Sequence, residues 1–462
     1  MKTKRLIFIV VFLLGISCNA ITNRFATPPT AAPIQSTQTP VLAATLPPAP
    51  AYVPPGCQNS AIATPPAAGA IVEPTLGVAT NSALTKDQQF GVFAELVSTI
   101  DNYYLYPDFN GVDWKGLVAS YRAKVESGLE TETFYTDMSD LVTALGDDHS
   151  QFESPSMAMA SDAELAGRNN FVGIGVIAQP SIDKGYLTVL VVFPDSPAEH
   201  GGIKAHDSLL AVDGIPLVEN GKSFVQRIRG PQCSILKLTV QSPGKEPRDI
   251  ILMRNKITAP EPIDARLVPT TDGSHIGYIF IPTFFDDTIP DQIKNALNHF
   301  GPLDGLILDN RMNGGGSSNV VDPILSYFTS GTVGQYVSRT EKRPFIVRAN
   351  PINNSQTVPL VVLVGEDTVS YGEIFSGILQ DESRAKIIGK TTLGNVETLH
   401  GYKFSDGSFA WIAQERFDPA HSHANWEKDG IIPDVQAFAD WDTFTFENDP
   451  SVIAALEVLG HK

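Results

Sequence analysis

The sequence predicts a multidomain α/β protein in which a helical region, a small β-rich domain and an α/β core follow one another along the chain. Three observations carry that prediction. Apolar residues recur at helical spacing between 85 and 145, short β-rich runs broken by turn residues begin at Phe171, and beyond Ile257 apolar strands alternate with helices. The last pattern is that of a sheet covered on both faces. A chain of 462 residues has room for two or three domains.

Composition narrows the function before any motif is read. With 42% hydrophobic and 18% charged residues, the chain is globular and not disordered throughout. Its 33 basic and 51 acidic residues give a net charge of -18, which repels phosphate backbones and anionic headgroups, so nucleic acid is excluded as a partner. Three cysteines, Cys18, Cys57 and Cys233, close at most one bridge and exclude a disulfide framework or a four-cysteine metal site.

The elements follow in order. Lys2, Lys4 and Arg5 precede an apolar run, Leu6 to Ile16, too short to span about 30 Å of hydrocarbon, so residues 1–18 read as a secretory signal. Its end, Leu14-Gly15-Ile16-Ser17-Cys18, resembles a bacterial lipobox, with Gly15 in place of the usual leucine. That resemblance implies acylation of Cys18 and a lipid anchor as the sole membrane contact; with ordinary signal cleavage Cys18 is incidental. Either way the chain is exported, to the bacterial cell envelope if lipid-anchored. Residues 19–84 read as a Pro/Ala/Thr-rich tether, uncharged from Phe25 to Val72, and Cys57 inside it is given no role.

Residues 85–170 form the helical domain. Thr85 and Gln88 are spaced as a capping box. Phe93, Leu96, Val97 and Ile100, then Trp114, Leu117, Val118, Tyr121 and Val125, then Phe134, Met138, Leu141, Val142 and Leu145 form apolar stripes. The third stripe runs into the polar cluster Gly146-Asp147-Asp148-His149-Ser150, where a helix end presents side chains to a cleft. Residues 171–258 are the β-domain, with turns at Asp195-Ser196-Pro197 and Asp213-Gly214. Its run Phe171 to Val176, with Asp195 to Glu199, Asp207 and Val212-Asp213-Gly214, resembles a bacterial protease-type PDZ domain. The resemblance implies capture of a peptide C-terminus as an added strand, its carboxylate held by the loop Val172, Gly173, Ile174 and Gly175. As a plain sequence feature, that loop is also compatible with a simple β-turn.

In the core, two strand ends stand out. Leu308-Asp309-Asn310-Arg311-Met312-Asn313-Gly314-Gly315-Gly316 is a glycine turn whose free N–H groups suit an oxyanion, and it lacks the Lys-Ser/Thr of a phosphate-binding loop. Val364 to Phe375 places Ser370 where strand becomes helix, either as an N-cap or as an exposed hydroxyl next to the Tyr371 N–H.

Together these segments resemble the carboxyl-terminal processing peptidases. Asp309 to Gly316, Ser370 to Phe375, Gln380-Asp381 with Arg384, Gly389 to Gly394, Asp406-Gly407-Ser408 and Gly430-Ile431-Ile432-Pro433-Asp434 occur in that family's order and spacing, and the likeness runs from about 85 to 440. It implies a crotonase-like α/β serine peptidase core at 259–440, followed by a C-terminal tail at 441–462. It also implies Ser370 as nucleophile, an oxyanion hole from Gly315 or Gly316 and Tyr371, protein or peptide substrates taken through their C-termini, and no cofactor or metal. One position departs: the tail-specific members place a lysine base where this chain has Asn395, and Gly394-Asn395-Val396-Glu397 is two residues shorter than usual. Lys390 is out of register for that role. The tricorn-type branch instead uses a histidine ahead of the PDZ domain and a glutamate near Gly-x-x-Pro-Asp. His149 and Glu427 match these positions, although Asp148 stands where that branch has serine. An imidazole is the side chain suited to take a proton near neutral pH. His421 and His423 form a His-x-His pair without further strong ligands. The alternative is a non-catalytic peptide-binding pseudo-peptidase of the same fold. Oligomeric state stays open.

Overall fold

The computed structural model describes residues 50, 52–58, 60–65, 81–167 and 170–461. The expected signal segment, Cys18 and most of the tether lie outside the described residues.

The helical region is built as its periodicity requires. Helix Lys86–Tyr103 starts on the Thr85 and Gln88 capping box, in which the Gln88 N–H donates to Thr85 Oγ1 (3.3 Å) and the Thr85 N–H to Gln88 Oε1 (2.9 Å). Helices Trp114–Ser127 and Thr131–Thr143 follow, and the stripe residues from Phe93 to Leu145 are buried, save Leu117, Val118 and Tyr121, which pack at the rim. The other half of this core comes from far along the chain: Phe404, Ala410, Ile412 and Ala413 close the cluster. Strand Gln151–Glu153 pairs antiparallel with strand Phe409–Pro419, Phe152 opposite Ala410. This pairing fixes the segment carrying His149 to a hairpin of the core, Thr398–Lys403 with Phe409–Pro419. The sequence reading contained neither that hairpin nor the five-stranded sheet it forms with Gly331–Val337 and Lys342–Val347.

The β-domain has its own core around Leu187, Val189, Leu209, Leu236, Leu238 and Val240. Its sheet runs Arg248–Met253, Ile235–Gln241, Ser208–Val212, Tyr186–Val192, Val176–Ser181, which leaves Val176–Ser181 at an edge. The strands Phe171–Gly173 and Asn255–Ile257 pair with each other where the domain begins and ends. Here one expectation needs correction. Cys57 is disulfide-bonded to Cys233, and Ala63 bridges Ser234, so this part of the tether is laid onto the β-domain. Tether composition conceals the contact, because the partner lies 176 residues away. On chain-entropy grounds, closing so long a loop stabilises by on the order of 5 kcal/mol.

The core sheet runs Asp264–Val268, Ile276–Phe280, Gly305–Asp309, Leu360–Val364, Lys386–Gly389, Val435–Gln436; the first pair is antiparallel and the rest parallel. Alternate residues face opposite ways. Leu306, Leu308, Val362 and Val364 pack under helices Ile289–Phe300, Ser318–Phe328 and Tyr371–Asp381, while Ile307, Val361 and Leu363 face Trp441, Phe444, Val452 and Ala455. The stretch 441–462, expected as a tail, therefore contains helix Pro450–Leu459, which covers the second face. Arg311 ties the two together, donating from Nε to Asp309 Oδ1 (2.9 Å) and from Nη1 to Asp449 Oδ1 (3.0 Å). Tyr278 donates to the same Asp309 (2.7 Å), so the root of the glycine turn is clamped from both sides.

Candidate active site

Ser370 lies between strand Leu360–Val364 and helix Tyr371–Asp381, with φ 55° and ψ -123°. An N-cap ordinarily has extended backbone, as Thr85 does at φ -69° and ψ 159°. Capping alone therefore does not account for Ser370, whose left-handed backbone stores roughly 1–3 kcal/mol and needs a surrounding that enforces it. Glu373 supplies much of that enforcement. Its Oε2 accepts the N–H groups of Ser370 (3.1 Å) and Asn395 (2.9 Å), and its Oε1 those of Gly394 (2.9 Å) and the Thr392 hydroxyl. Burial pushes the Glu373 carboxyl up, against four donors that favour its charged form.

The glycine turn meets Ser370 directly. A Cβ on Gly315 (φ +95°) would stand 2.8 Å from Ser370 Cβ and 3.3 Å from the Tyr371 nitrogen, so no larger residue fits. A Cβ on Gly316 would strike the Phe284 carbonyl at 2.1 Å. The turn is held by the Val369 N–H to Asn313 O (3.0 Å), the Phe284 N–H to Gly315 O (2.9 Å) and Asn310 Nδ2 to Gly372 O (2.8 Å). The three residues expected at the oxyanion hole are thus not equivalent. Gly315 donates its N–H to Asn313 Oδ1 (2.9 Å), whereas the N–H groups of Gly316 and of Tyr371, the first residue of its helix, form no hydrogen bond among the described residues.

His149 arrives on the tight turn that precedes strand Gln151–Glu153. Asp147 Oδ1 accepts the N–H groups of His149 (3.0 Å) and Ser150 (2.7 Å), and Ser150 Oγ accepts the Ala413 N–H (3.0 Å), which fastens the turn to the core hairpin. The imidazole is 8% exposed, and its Nδ1 stands 3.4 Å from Glu397 Oε2. Neither atom has an aligned hydrogen bond. Glu397 Oε1 accepts the Tyr106 hydroxyl (2.7 Å). Glu427, the carboxylate expected beside the histidine, lies against Glu397, and its Oε2 accepts the Val396 N–H (2.7 Å). Burial, then the hydrogen bond and charge of Glu397, push the Glu427 carboxyl far above its usual range. Burial works the same way on Glu397, but the nearby His149 imidazole, the Glu427 carboxyl and the Tyr106 hydroxyl outweigh it and leave Glu397 below its ordinary value. Glu397 is the residue that sequence reasoning missed. It stands in the stretch noted as short, and nothing in the sequence marks it as buried.

The remaining expected residues are placed as follows. Asn395 is buried, with its Oδ1 unpartnered among the described residues. Lys390 pairs with Glu366 (2.7 Å). His421 and His423 diverge, the first toward Glu382 (3.2 Å) and the second toward Asp418 (3.0 Å). In the β-domain loop, Val172 and Gly173 belong to the strand paired with Lys256 and Asn255. Ile174 and Gly175 give their carbonyls to Ala198 (2.9 Å) and Phe193 (3.0 Å), and their N–H groups form no bond among the described residues. Gln179, on the edge strand, donates to Asp367 Oδ1 (2.8 Å), three residues before Ser370.

Comparison with known proteins agrees with this architecture. Residues 275–437 match peptidase family S41, and residues 89–143 match the tricorn protease C1 domain. The carboxyl-terminal-processing protease of Synechocystis is 27% identical over 389 residues, covering 82% of this chain and 89% of its own. That of Picosynechococcus is 29% identical over 334 residues, covering 70% and 78%, and the chloroplastic C-terminal processing peptidase of Tetradesmus obliquus is 28% identical over 371 residues, covering 77% and 78%. Among solved structures, the photosystem II D1 C-terminal processing protease has the same fold, with a TM-score of 0.54 at 24% identity over 81% of this chain and 96% of that one.

Proposed function

We propose that the chain, whose residues 275–437 match peptidase family S41, is a member of that family and an exported serine peptidase acting on proteins or peptides, with Ser370 as nucleophile and His149 as general base. As Ser370 Oγ attacks the substrate carbonyl, His149 takes its proton and later returns it to the leaving amine; water then releases the acyl-enzyme. The N–H groups of Tyr371 and Gly316 hold the oxyanion, and Gly315 shapes that hole without donating to it. Asn395 offers no lysine amine, so the imidazole carries the proton transfer.

The observation that carries this reading is a serine kept in left-handed backbone at a strand-to-helix turn and pressed against a glycine turn, with the N–H groups of Gly316 and Tyr371 unspent among the described residues. Substrate tails are captured by the β-domain acting as a PDZ domain. Two features support that: the unpaired N–H groups of Ile174 and Gly175, and the open edge of strand Val176–Ser181. The Cys57 and Cys233 disulfide supports export to an oxidising compartment. Anchoring is through acylated Cys18. No helix among the described residues is long and apolar enough to cross a membrane.

The test is covalent trapping. A serine-directed phosphonate should add to the peptide containing Ser370, and Ser370→Ala should abolish both the adduct and cleavage of a peptide with an apolar C-terminus. An intact enzyme whose adduct maps to a different serine would refute the assignment.

A further inference from the structure

Resting on the peptidase reading, we propose that Glu397, and not Glu427, is the carboxylate that orients His149, with Glu427 holding Glu397 from behind. The geometry pairs the imidazole with Glu397 alone: His149 Nδ1 faces Glu397 Oε2 at 3.4 Å, and no other carboxylate is within ion-pair distance of it among the described residues. Tyr106 donates to Glu397 Oε1 at 2.7 Å, while Glu427 Oε2 accepts the N–H of Val396, the residue before Glu397, at 2.7 Å. Glu427 cannot move forward past it. Its own backbone is fixed under Gly394, where a Cβ would come within 2.5 Å of the Glu427 carbonyl, and its Oε2 is fixed by the Val396 N–H.

Two carboxylates in contact within a buried site do not both ionise. The charge stays where the donors are. Glu397 receives Tyr106 and the imidazole, whereas Glu427 receives one backbone N–H and faces the negative charges of Glu397 and Glu373. Beyond these, Tyr104 on the helical side interacts with both Asp147 and Glu397. Glu427 in its neutral form uses both oxygens, one accepting the Val396 N–H and the other donating a proton to Glu397. Glu397 then acts as a positioning residue: its charge favours the imidazolium formed during catalysis and fixes the ring through Nδ1, leaving Nε2 for the serine.

Glutamine distinguishes the two residues, because it can both accept and donate. Glu427→Gln reproduces the neutral carboxyl at both contacts, so phosphonate labelling of Ser370 should slow by about tenfold or less, the scale of one altered hydrogen bond. Glu397→Gln removes the charge, so labelling should slow on the order of 10²–10⁴-fold, and the downfield Nδ1–H proton signal of His149, followed by NMR in the full chain, should move upfield or vanish. Should Glu397→Gln fail to fold, Glu427→Gln alone decides, since a neutral donor tolerates the change and an anionic partner does not. The proposal is overturned if Glu427→Gln cripples labelling as severely as Glu397→Gln is expected to, or if Glu397→Gln leaves the His149 Nδ1–H signal unmoved. Failure of the wild type to label Ser370 would defeat the peptidase reading separately, with the His149 Nδ1–H signal still deciding between the carboxylates.

Discussion

The turn of the proposed nucleophile and the arm of the proposed base are built in opposite ways. Ser370 is held by neighbours that are local or one strand away, and the Glu373 carboxylate that pins it is filled with donors. His149 depends on three separated segments, 104–106, 146–150 and 395–397, and its contacts are incomplete: His149 Nδ1, Glu397 Oε2 and Asn395 Oδ1 all lack partners among the described residues. Buried polar atoms without partners cost about 1–3 kcal/mol each, so this side of the site is the less completely satisfied of the two.

Perturbing each half should give different signatures. The largest effect is expected from Ser370→Ala, which should lower kcat on the order of 10⁶-fold, as loss of a nucleophile does in a triad; steady-state kinetics on a tailed peptide measures it. Next comes Gly315→Ala, which forces a methyl to within 2.8 Å of Ser370 Cβ and displaces the turn. A loss of about 10²–10³ in kcat, the scale of one oxyanion donor, should follow with KM little changed. For the base arm, Phe134→Ala in the fully buried cap core should lower unfolding free energy by about 3–5 kcal/mol in denaturant titrations, and lower activity with it, because that core carries His149.

The smallest effect concerns pH. Glu427 is raised in the folded state, so the stability it gives is present in acid and is lost as pH climbs toward its folded value. Glu397 is lowered and behaves in the opposite sense, losing its contribution in acid. Glu427→Gln should therefore gain in unfolding free energy over wild type as pH rises from 6 to 8, by at most about 1.4 kcal/mol per pH unit. Thermal melts across that range check it, and a constant difference would place the proton elsewhere.

What the sequence disclosed follows the same division. Helical stripes, the Thr85 cap and the strand-to-helix turn at Ser370 are local patterns, and the structure forms them. The pairing of Gln151–Glu153 with Phe409–Pro419 has no local signature, and neither does the bridge from Cys57 to Cys233. Segment 441–462 was expected as a tail because the recognisable motifs end at Asp434. Its Trp441, Phe444 and Val452 nevertheless complete the face of the core sheet. Glu397 was legible as a charge but not as a buried one, since its burial is created by Tyr106, His149 and Glu427 arriving from elsewhere.

The measurement that bears most directly on the account is the pH dependence of phosphonate addition to Ser370, compared between wild type and His149→Ala. An inflection in the wild type that the variant lacks, with addition slowed at least about 10²-fold in the variant, is the predicted result. An unchanged rate and profile in His149→Ala would contradict the claim that an imidazole takes the place of the missing lysine.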